Sequence, residues 1–227
     1  MKYFYLFIIL IFFNLPVVGQ VFPIPEDNEV SFDVIRKNKV IGNLTTKFIK
    51  KKETLILHSV LDIEVKILFF PAYQFFQETK ETWKEGEFIS IDGFTDFEDD
   101  REYRIKGSDV DGVFRVSGMD GVLELDKDII PLNYWNKKML KEEEVFDTQK
   151  GIVRKITVKK MKDEKIKINN LKIVAEKFIF NAKKNPKDKG PFPEYTLWYH
   201  KNELLKMEFI NPKDKKTIEI IRNDLDL

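Results

Sequence analysis

The chain has 227 residues, of which 43% are hydrophobic and 34% are charged, with 20 phenylalanines and no cysteine. This composition excludes a collagen, a disordered polar chain and a small disulfide-stapled domain. The formal net charge of +1 gives no support to nucleic-acid binding. With two histidines and no cysteine, the sequence offers little for a zinc site or a thiol mechanism.

The first nineteen residues have the pattern of a secretory signal peptide. Lys2 is followed by an unbroken apolar run from Tyr3 to Phe13 and by a short segment that ends in Val17 and Gly19. A signal peptidase accepts these two residues at the −3 and −1 places, so we predict cleavage after Gly19. The apolar stretch is shorter than the ~20 residues of a spanning helix, which makes an uncleaved membrane anchor the minor alternative.

The remaining chain, residues 20–227, has no segment apolar enough to span a bilayer. Cleavage would remove one charged side chain, Lys2, and leave equal numbers of basic and acidic residues. We therefore expect one domain that is soluble outside the cytoplasm, with the periplasm as the first choice of location. Because the chain has no cysteine, its stability there must come from a packed core.

Apolar and polar residues alternate through most of the chain from Glu29 onward. Between Thr54 and Phe69 the odd positions are apolar apart from Ser59, and the even positions include His58 and Asp62. This period of two predicts a long antiparallel strand with one face on a core.

The same alternation predicts a hairpin around Asn38 and a series of further strands. The strand candidates are 88–94, 112–117, 121–125, 152–161, 165–168, 171–176, 177–181, 195–199, 204–209 and 217–222. One short helical crossover is expected over Tyr134–Val145. About a dozen strands predict an all-β fold, either a single strongly curved antiparallel sheet or an open β-barrel. A β-sandwich is the competing arrangement.

Motifs of the common hydrolases and nucleotide-binding proteins are absent from the sequence. His58 and His200 have no identifiable catalytic partner, and the acidic run Asp96–Asp100 lacks the spacing of a calcium loop. Glu78, Glu81 and Glu85 are interpreted as the solvent-facing side of a strand. The sequence therefore predicts no catalytic residue, no metal and no cofactor, and it favours a non-enzymatic role.

Aromatic residues are concentrated between Phe69 and Phe76, where five of eight residues are aromatic. Most of these rings are expected in the core. A curved sheet that is only partly filled would instead leave an apolar cavity for a lipid-like ligand. The candidate ligand-binding residues are Phe69, Phe70, Tyr73, Phe75, Phe76, Trp83 and Trp135.

Short motifs spread over almost the whole of residues 20–227 resemble one bacterial family. They are Phe32-Asp33-Val34 with Val40-Ile41-Gly42, Glu81-Thr82-Trp83 with Gly86, Gly118 with Gly121, Pro131 through Trp135-Asn136, Thr148 with Gly151, Leu197-Trp198-Tyr199, and Leu204 through Phe209. The family is that of secreted β-rich proteins catalogued as domain of unknown function 6134. The sequence departs from its pattern at His200-Lys201-Asn202-Glu203, where the family has Asp-x-x-Gly. The resemblance implies a β-rich secreted protein and brings no activity, ligand or catalytic residue.

Three functional hypotheses follow, in decreasing order of preference. In the first, the protein binds an apolar or acylated ligand, or a hydrophobic protein segment, in the concavity of its sheet. In the second, it is an interaction or scaffolding module for an envelope protein, with Trp83 and Trp135 buried in a fully packed core. In the third, it is an envelope hydrolase that uses Asp99 and Asp100.

Overall fold

The computed structural model describes residues 22–67, 70–97, 101–188, 190, 192–212 and 214–225, with the backbone alone at 66–67 and 70–72. In these ranges the chain forms 15 β-strands and one five-residue 3-10 helix, Lys137–Lys141. The strands are β1 (Glu29–Arg36), β2 (Lys39–Lys51), β3 (Thr54–Ile67), β4 (Phe70–Lys84), β5 (Glu87–Asp96), β6 (Glu102–Val110), β7 (Val113–Gly118), β8 (Gly121–Asp126), β9 (Glu144–Asp147), β10 (Ile152–Lys160), β11 (Glu164–Ile168), β12 (Leu171–Ala182), β13 (Tyr195–His200), β14 (Glu203–Ile210) and β15 (Thr217–Arg222).

All of these strands belong to one sheet, and their pairings are antiparallel. The spatial order is β8-β7-β6-β5-β4-β3-β2-β1-β15-β14-β13-β12-β10-β9, with β11 paired to β12 outside this path. Strands β1–β8 therefore form one meander, and the pairing of β15 with β1 joins it to the C-terminal meander. A single continuous sheet confirms the all-β prediction and excludes the sandwich for the described chain.

Local sequence explains the strands and their turns. The predicted hairpin is present, with Lys37 and Asn38 between β1 and β2 at positive φ angles of 50° and 58°. Such a turn matches the twist of the two strands. In β5 the buried positions include Phe88, Ile91 and Thr95, which face the interior.

The sheet is strongly curved, and its two edge regions meet. The turn between β7 and β8 lies against the turn between β9 and β10, where the amide of Met119 donates to the carbonyl of Lys150 at 2.7 Å. Gly118 and Gly151 make this approach possible, because a Cβ on Gly118 would lie 2.3 Å from the Gly151 carbonyl oxygen. The sheet thus closes around an interior in the manner of an open barrel.

The crossover between β8 and β9 enters this interior. Its helical part is shorter than the predicted Tyr134–Val145, because Asn136 caps a 3-10 helix that ends at Lys141 and Val145 already lies in β9. Trp135 anchors the segment: its Nε1 donates to the carbonyl of Pro23 at 2.7 Å.

One end of the interior, the packed end, is filled by aromatic rings. Phe22 and Phe88 both pack against Trp83, the first edge-to-face and the second tilted, with ring centroids 5.2 Å and 5.3 Å from that of Trp83. Trp135 lies 5.7 Å from Phe48 in the same region. These buried rings provide much of the hydrophobic stabilisation of the barrel.

The predicted signal peptide, residues 1–19, and the predicted cleavage position after Gly19 lie outside the described residues. Within the described ranges, no helix has the length and apolar character needed to cross a membrane.

Candidate functional site

The end of the interior opposite the packed end is hollow. It holds a partly open cavity of about 1150 Å³, slightly above the ~300–1,000 Å³ typical of ligand pockets. One side of this cavity, the apolar wall, is built by inward-facing residues of β2, β3, β14 and β15. The residues of the apolar wall are Ile41, Leu44, Leu61, Ile63, Val65, Met207, Phe209, Ile218 and Ile220.

A row of hydroxyl side chains runs across neighbouring strands at the boundary between the cavity and the packed end. Thr46 on β2 lies opposite Ser59 on β3, which lies opposite Thr79 on β4. All three line the cavity, and the hydroxyl oxygens of Thr46 and Ser59 are 2.8 Å apart. We call these three residues, together with Glu81, the floor of the cavity.

Glu81 is the acidic member of the floor and is only 2% exposed. Its Oε2 accepts hydrogen bonds from Nδ2 of Asn133 at 2.8 Å and from Nε1 of Trp83 at 3.2 Å. Burial raises the pKa of Glu81 to about 7, although these two hydrogen bonds act in the opposite direction. The carboxyl group therefore exchanges its proton near neutral pH, inside a cavity.

A buried ionic network forms another part of the cavity lining. Nε of Arg154 donates to Asp147 at 2.5 Å, and Nη2 of Arg154 donates to Asp188 at 2.7 Å. Lys150 also donates to Asp188. Burial alone would raise the pKa of Asp188, but the hydrogen bonds from Lys150 and Arg154 outweigh it and lower that pKa. Two cations and two anions thus balance within the lining, and this network is not an open anion site.

Comparison with known proteins places the chain in a family. The sequence profile described as Domain of unknown function (DUF6134) matches residues 32–223. The chain belongs to this family. The resemblance carried by the short motifs is thereby confirmed.

Two further comparisons bear on this DUF6134 chain. No curated protein matches it. Among solved structures, it is similar to a β-barrel-like protein of domain of unknown function DUF1849 from Brucella abortus. The TM-score is 0.57 at 14% sequence identity, covering 88% of this chain and 96% of that one. At this identity the likeness supports the barrel-like fold alone.

The structure brings two of the predicted ligand-binding residues, Tyr73 and Phe75, to the cavity. Phe76 lies on the opposite face of β4, because successive side chains in a strand alternate, and its ring is 6.3 Å from that of Phe94. Phe70 is described by its backbone alone, and Phe69 lies outside the described residues.

Trp83 and Trp135 belong to the packed end and do not line the cavity. Their placement differs from the predicted one because the crossover carries Trp135 into the interior, where it shares a core with Trp83, and alternation along one strand cannot reveal this. Trp83 still contributes to the floor through its hydrogen bond to Glu81. A ligand-binding role for the seven predicted residues stays a prediction.

Sequence reasoning missed the floor. The prediction that Glu81 faces solvent is wrong, because Glu81 and Trp83 share the inward face of β4, whereas Glu78 lies on the outer face beside His58. A signal was present at Ser59, which interrupts the apolar odd positions of β3.

The polar groups considered for catalysis lie elsewhere. His58 Nε2 is 2.7 Å from Oε1 of Glu78, and His200 Nδ1 is 3.0 Å from the carbonyl of Val174. Residues 98–100 of the acidic run lie outside the described chain. Among the described residues, no cluster of acidic or histidine side chains could hold a metal ion.

Proposed function

We propose that this DUF6134 protein binds an apolar or acylated ligand in the cavity of its curved sheet. The observation that carries the proposal is the partly open interior cavity of about 1150 Å³ with its apolar wall. An apolar wall removes an acyl chain from water, which is favourable by roughly 25 cal/mol per Å² of buried apolar surface.

The rival hypothesis, an interaction module with a fully packed core, explains only one half of the interior. It accounts for the buried Trp83 and Trp135 in the packed end. It does not account for the hollow half, where side chains such as Leu61 and Ile218 face a cavity rather than one another. Interiors are normally packed to the density of organic crystals, so a cavity of this size favours a ligand.

The cavity is rich in aromatic and cationic groups as well as in aliphatic ones. Phe97 lies within reach of two cations: the guanidinium carbon of Arg101 is 4.8 Å from its ring centroid, and Nζ of Lys150 is 5.3 Å from it. On the same side, Phe192 packs under Arg154 at 4.7 Å. These contacts place charged side chains beside apolar rings, so the cavity lining as a whole is amphipathic rather than purely apolar.

Filling the cavity tests the proposal. Leu61→Trp adds an indole to the apolar wall and should weaken binding of monoolein at least about tenfold, because the chain and the ring compete for one volume. Asp62→Trp, on the exposed outer face of the same strand, is the matched control and should bind like the wild type. Native mass spectrometry with increasing monoolein measures the adduct in each variant. Failure of the wild type to bind any chain probe would contradict the proposal and favour the interaction module.

We further propose that residues 1–19 are a signal peptide and that residues 20–227 form one extracytoplasmic domain in the periplasm. The sequence pattern around Gly19 supports this proposal. Phe22 supports it too: its ring packs on Trp83, so the folded domain includes a residue just beyond the predicted cleavage position.

The intact mass of the protein isolated from a bacterial envelope fraction tests the location. The expected mass is that of residues 20–227. Gly19→Leu, which puts a bulky residue at the cleavage position, should yield the uncleaved chain as a control. A wild-type protein that retains residues 1–19 would show that the segment is an anchor.

A further inference from the structure

Only one of the two carboxyl oxygens of Glu81 accepts hydrogen bonds from the described protein residues. Both of its hydrogen bonds, from Asn133 and Trp83, are accepted by Oε2. In the described part of the chain, no residue donates to Oε1 of Glu81. Since the residue lines the cavity while it is 2% exposed, Oε1 offers a hydrogen-bonding position that water reaches only through the cavity. A ligand group that forms a hydrogen bond with this oxygen therefore gains affinity, because the bond is made where little bulk water competes for it.

We propose that the floor of the cavity binds the uncharged polar end of an amphiphile, such as the hydroxyl and ester groups of a monoacylglycerol, through Oε1 of Glu81. This inference rests on the proposed function, because it assigns the polar end of the ligand whose chain lies in the cavity. The chain then runs from the floor along the apolar wall towards the open side.

The chemistry of the floor favours an uncharged group. Thr46, Ser59 and Thr79 carry hydroxyls, which can both donate and accept hydrogen bonds. Among the residues that the structure describes, the groups that set the environment of Glu81 are its buried surroundings and two neutral donors, Asn133 and Trp83. A carboxylate would be repelled by ionised Glu81, and an ammonium would lose its hydration in a site that offers one titratable partner.

The buried ionic network is a less suitable site than the floor for the polar end of the ligand. Lys150 and Arg154 are 7% and 2% exposed at their side chains and are already paired with Asp188 and Asp147. A phosphate would have to displace buried carboxylates that are held by several hydrogen bonds. We therefore place the polar end of the ligand at Glu81.

Binding of monoolein, oleic acid and oleylamine to the wild type, Glu81→Gln and Glu81→Leu tests the assignment. Gln has nearly the shape of protonated Glu and keeps a donor and an acceptor, so Glu81→Gln should bind monoolein within about threefold of the wild type. Leu has no polar atom, so Glu81→Leu should weaken monoolein binding about tenfold. Thr79→Val, which removes one hydroxyl at nearly constant volume, should weaken it several-fold. Circular dichroism of each variant confirms that the sheet is intact.

The other outcomes separate the two proposals. Equal binding of monoolein by the wild type and Glu81→Leu would overturn the role of the floor and leave the cavity as a chain-binding site. Oleylamine that binds the wild type more tightly than monoolein, and is lost in Glu81→Gln, would overturn the uncharged ligand in favour of a cation. If no probe binds the wild type, the proposed function and this inference both fail.

Discussion

At the scale of single residues, Glu81 is the most unusual group in the described chain. A carboxyl in water has an ordinary pKa of 4.5, and burial raises the pKa of Glu81 to about 7. On the outer face of the same strand, Glu78 shows the opposite behaviour: hydrogen bonds from Lys80 and His58 lower its pKa. The pKa values of these two glutamates, three positions apart, thus shift in opposite directions because one side chain faces the interior and the other faces solvent.

The raised pKa of Glu81 makes folding stability depend on pH. Between pH 4.5 and about 7 the folded protein holds a proton that the unfolded chain releases, so the free energy of unfolding falls as pH rises. The glutamine side chain of the Glu81→Gln variant does not titrate, so the variant should not show this fall in the free energy of unfolding. Its stability relative to the wild type should increase by about 3 kcal/mol from pH 4.5 to about pH 8.

Urea unfolding over this pH range measures the difference between the two proteins. Glu78→Gln serves as the control and should show no such increase, because the lowered pKa of Glu78 moves its effect to acid pH. A constant difference between Glu81→Gln and the wild type would mean that Glu81 has an ordinary pKa in the folded protein.

At the scale of elements, β4 is the strand that contributes side chains to the cavity, to its floor and to the packed end. Its inward residues run from Tyr73 and Phe75 at the cavity, through Thr79 and Glu81 at the floor, to Trp83 in the packed end. The strand therefore changes chemical character along its length while its alternation stays the same. Strand β3 pairs with β4 from Phe70 to Lys84, and β5 pairs with it from Phe76 to Lys84.

The contact between the β7–β8 turn and the β9–β10 turn closes the barrel. In Gly118→Ala the added methyl would meet backbone atoms of Gly151, which cannot rotate away as a flexible side chain could. We expect a loss of about 2–3 kcal/mol in the free energy of unfolding, the range of overpacked sites.

Urea unfolding of Gly118→Ala and of Gly93→Ala measures this loss. The control residue lies inside β5, where a Cβ would meet its nearest neighbour, Cγ2 of Thr79, at 3.4 Å, an ordinary contact. Gly93→Ala should therefore lower the free energy of unfolding only slightly. Equal stabilities of the two variants would mean that the turns do not touch in solution.

At the scale of the whole molecule, the sequence predicts the architecture better than the site. The alternation in β3 and the turn at Asn38 depend on local preferences, and both are read directly from the residues. The cavity depends instead on which inward rows are covered by the crossover. Trp135 and Trp83 share a core only after the chain has folded back through the barrel, a long-range event that periodicity does not encode.

The pairing of β1 with β15 has a consequence for how the molecule is made. These strands are separated by almost the entire chain, yet they are neighbours in the middle of the sheet. Until Thr217–Arg222 has been synthesised, β1 has an unpaired edge and the two meanders are not joined. Such non-local pairing is slow, because the loop-closure entropy must be overcome first. A nascent chain that still lacks β15 therefore exposes a row of unpaired backbone N–H and C=O groups along β1, the kind of strand edge on which aggregation starts.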